Sequence, residues 1–250
     1  MQFDNRTYLV TGAAGGIGLG IAREFLANGA RVFLARRPGG EPPALAELGP
    51  NARDVELDVT SEADWERVVD GIVAECGALS GLINNAAYLA PGIQFTDLSL
   101  AEWRRHMDVN LDGVFMGCRV AMGAMALSGG GSIVNISSGA AHIVVPDAAA
   151  YCVSKSAVLT LTRLAAKAGG RHGVRVNAIL PGAIDTPMLW RNLGDGQSPD
   201  DLLDALTRLH PIGRIGTTQD VARAVLFLCD PANSFITGAM LAVDGGQLVN

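Results

Sequence analysis

Thr7-Tyr-Leu-Val-Thr11 runs directly into Gly12-Ala-Ala-Gly15-Gly16-Ile17-Gly18, and this stretch decides the fold. The first five residues are a short β-prone run. The glycines that follow break it, and Ile17, Ile21, Phe25 and Leu26 then recur at helical spacing. Strand, glycine turn and helix in that order form the context a dinucleotide-binding turn requires. Glycines let the backbone approach a pyrophosphate, and a helix N-terminus offers unpaired N–H groups and partial positive charge. The spacing is Gly-x-x-x-Gly-x-Gly, not the commoner Gly-x-Gly-x-x-Gly.

Working outward, strand-like and helix-like segments alternate to the end. Strands are predicted near 7–11, 31–35, 54–58, 79–84, 131–137, 174–180 and 238–243. Helices are predicted near 17–28, 61–76, 99–127, 149–171 and 217–229, with capping starts at Ser61 and Ser99. Such alternation with apolar strands implies a parallel sheet covered on both faces. The expectation is an α/β fold: a single Rossmann-like domain over 1–250, doubly wound, with about seven strands and helices on both faces. Pro38-Gly-Gly-Glu-Pro-Pro43 opposes helix and should shorten the second crossover. Residues 183–216 depart from the alternation. Met188, Leu189, Trp190, Leu202, Leu203 and Leu206 make short amphipathic pieces broken at Gly194, Gly196 and Pro199.

Composition narrows the function. The formal net charge of −6 argues against a nucleic-acid partner, which needs a basic face. Hydrophobic residues make up 49% of the chain, and its 31 glycines suit a buried core with many tight turns. The cysteines at 76, 118, 152 and 229 form no Cys-x-x-Cys pair, and the histidines show no ligand spacing. Reduced thiols, no metal site and a cytoplasmic setting are expected. The uncharged run from Thr7 to Ala22 is too short and too rich in glycine to span a membrane.

The chemistry concentrates at Tyr151-Cys-Val-Ser-Lys155, with Ser138 thirteen residues upstream of the tyrosine. Tyr and Lys at i and i+4 share a helix face. A cation there should favour the phenolate and pull the phenol toward neutrality. The chain has only three tyrosines and two lysines, so the pairing is hard to dismiss as filler.

With these residues in view, the chain resembles the short-chain dehydrogenase/reductase family from end to end. Thr11-Gly12-Ala-Ala-Gly15-Gly16-Ile-Gly18 is similar to that family's cofactor turn. Leu57-Asp58-Val59 is similar to its adenine-contacting segment, and Asn84-Asn85-Ala86-Ala87 to the run that steadies the central sheet. Ala87 stands where the family usually has glycine. Asn110, Ser138, Tyr151 and Lys155 match its catalytic tetrad; Asn177, Pro181, Gly182, Ile184 and Thr186 fall in the segment beside the nicotinamide.

The resemblance implies hydride transfer between a nicotinamide and a carbonyl carbon. In that scheme Tyr151 exchanges the proton, Ser138 orients the oxygen, Lys155 grips the nicotinamide ribose and Asn110 holds a relay water. It also implies cofactor contacts from Asn85 and Ala86, a substrate lid at 183–216 and assembly as a homotetramer. In a dinucleotide fold the second strand ends on an acid that accepts from the ribose 2′-OH. Here Arg36 and Arg37 stand at that point, so NADP is expected over NAD. Candidate pocket residues are His142, Ile143, Val144, Val145, Met188, Leu189 and Trp190. They are mostly apolar, which suggests a hydrophobic secondary alcohol or its ketone. Reduction of a 3-oxoacyl group on a carrier protein is a second enzymatic reading, with Trp103-Arg104-Arg105 as the one basic docking hint. A non-catalytic NADP sensor is a third, which the intact tetrad opposes.

Overall fold

The computed structural model describes residues 2–191 and 198–249. The seven strands are β1 (Thr7–Thr11), β2 (Arg31–Arg36), β3 (Ala52–Glu56), β4 (Gly81–Asn84), β5 (Gly131–Ile136), β6 (Val174–Pro181) and β7 (Met240–Val243). They form one sheet in the order β3-β2-β1-β4-β5-β6-β7, and every pairing is parallel. The strand order reverses between β1 and β4, where an open α/β sheet leaves a crevice beyond its carboxyl ends.

Side-chain alternation builds a core on each face. Val10, Ile83 and Val134 point to one side, against Ile21 and Phe25 of α1 (Gly16–Ala27) and Val221 and Val225 of α9 (Thr218–Cys229). Their neighbours Leu9, Leu82 and Ile133 point to the other side. There they meet Trp65 and Ile72 of α3 (Glu62–Cys76), Val114 of α5 (Gly113–Leu127) and Val158 of α6 (Ala149–Gly169). Strands buried on both faces explain why the sequence reads as apolar runs.

The second crossover shrinks to the four-residue helix α2 (Leu45–Leu48), as the prolines and glycines before it predict. The predicted helix over 99–127 is instead interrupted. α4 (Leu100–Met107) passes through one π turn at Asp108–Asp112 before α5 begins. Within the expected lid, α7 (Pro187–Trp190) and α8 (Pro199–Arg208) are short helices, and Ser198 caps the second by accepting from the Asp200 N–H at 3.2 Å. Gly194 and Gly196, read as breaks in the lid, lie outside the described residues. Among the described residues no helix is long and apolar enough to cross a membrane.

Candidate active site

Gly12 opens the crevice with φ +63°, and a Cβ there would come within 2.9 Å of the Ala86 Cα. A Cβ on Gly18 would lie 2.5 Å from the Gly12 carbonyl oxygen and 2.6 Å from Asn85 Nδ2. Both positions therefore require glycine for the β1–α1 turn to close against β4. Gly15 differs: a Cβ there would meet nothing within 4 Å, so the turn faces open space on the crevice side. α1 starts at Gly16 without a side-chain cap, which leaves its first N–H groups free to meet an anion.

Thr11, which sequence reasoning noted only as part of the turn, ties the two halves of the crevice together. Its hydroxyl donates to Ile83 O and accepts from the N–H groups of Asn85 and Ala86 at 2.9 and 3.0 Å. Asn85 returns the contact, donating from Nδ2 to Thr11 O at 2.8 Å and Gly12 O at 3.2 Å. Behind it, Asn84 donates to Asn135, and Asn135 donates to the Thr162 hydroxyl on α6. This buried chain fixes α6 against the strands that carry the crevice.

Ser138 lies just past β5, and Tyr151 and Lys155 lie on the first turns of α6. All three line one cavity of about 450 Å³ with Gly12, Gly15, Gly16, Ile17, Asn85 and Ala86. Its far wall is Pro181, Gly182, Ile184 and Thr186, and the lid contributes Met188 and Leu189. The glycine turn, the Ser-Tyr-Lys group and the lid, separated in sequence, thus border one space.

Electrostatics here follow burial. Lys155 is 1% exposed, its Nζ donates to Ile136 O at 2.8 Å, and desolvation pulls its pKa down to about 8. The Tyr151 phenol is pushed up by burial, with a hydrogen bond from Ser138 pulling the other way. The expected lowering by Lys155 does not occur in this state. The ammonium sits 5.7 Å from the ring centroid, turned to a backbone carbonyl and itself driven toward its neutral form.

Asn110 is fully buried in the π turn, beside the cavity instead of on its wall. Its Oδ1 accepts from Tyr88 N at 2.7 Å, and its Nδ2 donates to Tyr88 O and to the Ser154 hydroxyl. Several other expected contacts sit away from the cavity lining. Asp58 accepts from the Thr60 N–H and hydroxyl, closing its own turn, with Val59 beside it. Arg36 is committed along the sheet, donating from Nε to Asp54 and from a terminal nitrogen to Glu56 at 2.8 Å and Gly40 O. Arg37 is exposed.

The apolar substrate set divides. Met188 and Leu189 line the cavity, whereas His142, Val144 and Val145 face solvent on a loop after the 3-10 turn. Trp190 turns back, its indole N–H donating to Asp185 at 2.7 Å. Sequence reasoning missed Leu89 and Arg191 on the lining. The position of Leu89 past the end of β4 was its only signal. Of the basic docking hint, Arg105 stacks 4.3 Å over the Tyr88 ring.

Comparison with known proteins agrees with this geometry. A family model described as "Enoyl-(Acyl carrier protein) reductase" matches residues 12–247. A 2-(S)-hydroxypropyl-CoM dehydrogenase 3 from Xanthobacter autotrophicus is 40% identical over 252 residues, covering 98% of each chain. A 2,5-dichloro-2,5-cyclohexadiene-1,4-diol dehydrogenase from Sphingobium indicum is 38% identical over 248 residues, again covering 98% of each. Among solved structures, ElxO with NADP bound superposes with a TM-score of 0.89 at 31% identity, covering 98% of this chain and 99% of that one.

Proposed function

The chain belongs to the short-chain dehydrogenase/reductase family and is an alcohol oxidoreductase using a nicotinamide cofactor; from that premise we propose that it prefers NADP(H), acts on hydrophobic secondary alcohols and their ketones, and works as a cytoplasmic homotetramer. One observation carries the reading: the Ser138-Tyr151-Lys155 group and the open glycine turn border the same cavity. The residues fit the cofactor. The turn at Gly12 and Gly15 leaves room for a pyrophosphate against the uncapped start of α1. Pro181 to Thr186 form the wall for the nicotinamide end.

The cofactor supplies or accepts the hydride. The chain's own task is the proton and the fit. Tyr151 gives its phenolic proton to the carbonyl oxygen in reduction and takes it back in oxidation. Ser138, which borders the same cavity beside the phenol, holds that oxygen in line. Lys155, once a nucleotide brings negative charge into the cavity, regains its ammonium character and favours the phenolate. Leu89, Met188 and Leu189 supply apolar surface for the substrate and exclude water.

The preference for NADP rests on the missing acid at the end of β2 and on Arg37, with the NADP-bound relative as support. The two arginines divide their work. Arg36 is held by Asp54 and Glu56, so Arg37 carries the contact to the 2′-phosphate. NADPH should be favoured over NADH by ~10- to 10³-fold, as one or two charge-assisted contacts allow. The test follows absorbance of NADPH and NADH across a panel of ketones. Arg37→Asp should reverse the preference, whereas Arg36→Asp, adding a third carboxylate beside Asp54 and Glu56, should mainly lower stability. Equal efficiency with both nucleotides would defeat the NADP reading.

A further inference from the structure

His210 lies past the end of the lid helix α8 and is 3% exposed. Both ring nitrogens are engaged, and both partners are backbone atoms. Nδ1 lies 2.7 Å from the carbonyl oxygen of Leu206, inside α8. Nε2 lies 3.1 Å from the N–H of Ala183, on the wall segment that follows β6. A carbonyl can only accept and an amide N–H can only donate. The ring is therefore neutral, with its proton on Nδ1 and its lone pair on Nε2.

The surroundings are built for this contact. A Cβ on Gly182 would lie 2.6 Å from Nε2, so only glycine lets the ring reach the backbone there. The wall segment is pinned on its remaining sides: Gly182 N donates to Val243 O, Gly216 N to Ala183 O, and Asp185 N to Gly216 O. Ala183 borders both the main cavity and a second one of about 430 Å³ lined by His210, Arg214, Asp220 and Asp244. The charged groups of that second cavity are spoken for. Asp220 takes Arg214, and Asp244 accepts from the N–H groups of Gly246 and Leu248.

We propose that His210 is a positioning residue, a neutral imidazole that joins the end of the lid helix to the cofactor-side wall so that the two are held as one body. This rests on the reading of the main cavity as a nicotinamide site. Without an acceptor at Nε2 the half-buried Ala183 N–H loses its one fixed partner, and the wall from Gly182 to Thr186 shifts to regain one.

The test uses nucleotide binding, read by NADPH fluorescence, and needs no substrate. His210→Phe keeps the ring's bulk and removes the acceptor; it should weaken NADPH binding by about 10-fold or more. His210→Gln can place a carbonyl oxygen near the Nε2 position and should stay within about 3-fold of the wild type. Equal binding by the Phe variant, or equal loss in both variants, overturns the proposal. Lowered melting temperatures with unchanged affinity in the folded protein would likewise reduce His210 to packing. If the Phe variant does not fold, ¹⁵N NMR of the labelled wild type decides, since a proton found on Nε2 of His210 refutes the arrangement. A wild type that binds no nicotinamide nucleotide would instead refute the cavity reading, a result distinct from either of these.

Discussion

Tyr151 and Lys155 share a helix face, yet the charge effect expected from that spacing is overridden by burial of both groups. Tyr151→Phe keeps the ring and removes the exchangeable proton. Turnover should fall at least ~10²-fold, within the range of general acid–base catalysis, with nucleotide affinity preserved; near wild-type reduction of the best ketone would remove Tyr151 from the mechanism. Lys155 has a pH signature. Its folded pKa of about 8 lies below the ordinary 10.5, so between those values the unfolded chain holds a proton that the folded protein has released. Stability of the nucleotide-free protein should therefore rise with pH across that window, having carried the full cost of a buried ammonium below it. Nucleotide binding should run the opposite way. Affinity should fall as pH rises through about 8, with a proton taken up on binding, and both effects should vanish in Lys155→Met. Fluorescence titrations across this pH range measure the affinity, titration calorimetry in buffers of different ionisation enthalpy counts the proton, and a flat profile in the wild type would release Lys155 from its role.

At the scale of elements, local signals were read well where they depended on local chemistry. The proline-rich second crossover did keep only a four-residue helix, and Ser61 and Ser99 do cap α3 and α4. The complete capping box, however, is at Thr217, where Thr217 Oγ1 accepts from the Asp220 N–H and Asp220 accepts from Thr217 N. The π turn between α4 and α5 was not legible, because its cause is tertiary: the Asn110 amide pairs with both backbone groups of Tyr88 on the loop after β4. Asn110→Ala should strand those groups at a cost of ~2–4 kcal/mol, lowering the melting temperature by roughly 5–15 °C. Calorimetry showing a wild-type transition would mean that the turn is held by something else.

For the whole molecule, the fold and the meeting of the turn with Ser138, Tyr151 and Lys155 were legible because each is encoded in a short run with fixed spacing. The pocket wall was not. Whether Val144 or Leu89 faces the cavity depends on loop paths that no periodicity records. Small residues on the long helices do not argue for assembly, because Gly117, Ala121, Ala165 and Ala166 pack inward: a Cβ on Gly117 would meet Trp65 and Asn84. The better argument lies on the outer faces. Phe115 on α5 and Val153 and Leu164 on α6 are between 46% and 64% exposed, and Phe227 and Phe235 are exposed as well, Phe227 on α9 and Phe235 before β7. The proposed homotetramer would cover such faces by two-fold pairing of the same helices. Light scattering should give four times the 26.0 kDa chain mass at micromolar concentration; a monomer there would leave these side chains unexplained.

The strand order also sets a timetable for synthesis. β1 lies inside the sheet, between β2 and β4, but its partner β4 is made only after β2, α2, β3 and α3. At about 5–20 residues per second, the ribosome needs roughly 2–10 s to travel from Arg36 to Asn84. Through that interval the nascent β1–β2 pair shows an open edge at Leu9 and Val10, two side chains that end with no exposure at all. A strand flanked on both sides in the finished enzyme thus spends part of its synthesis with one edge unpaired, and that vulnerable period falls before half the chain exists.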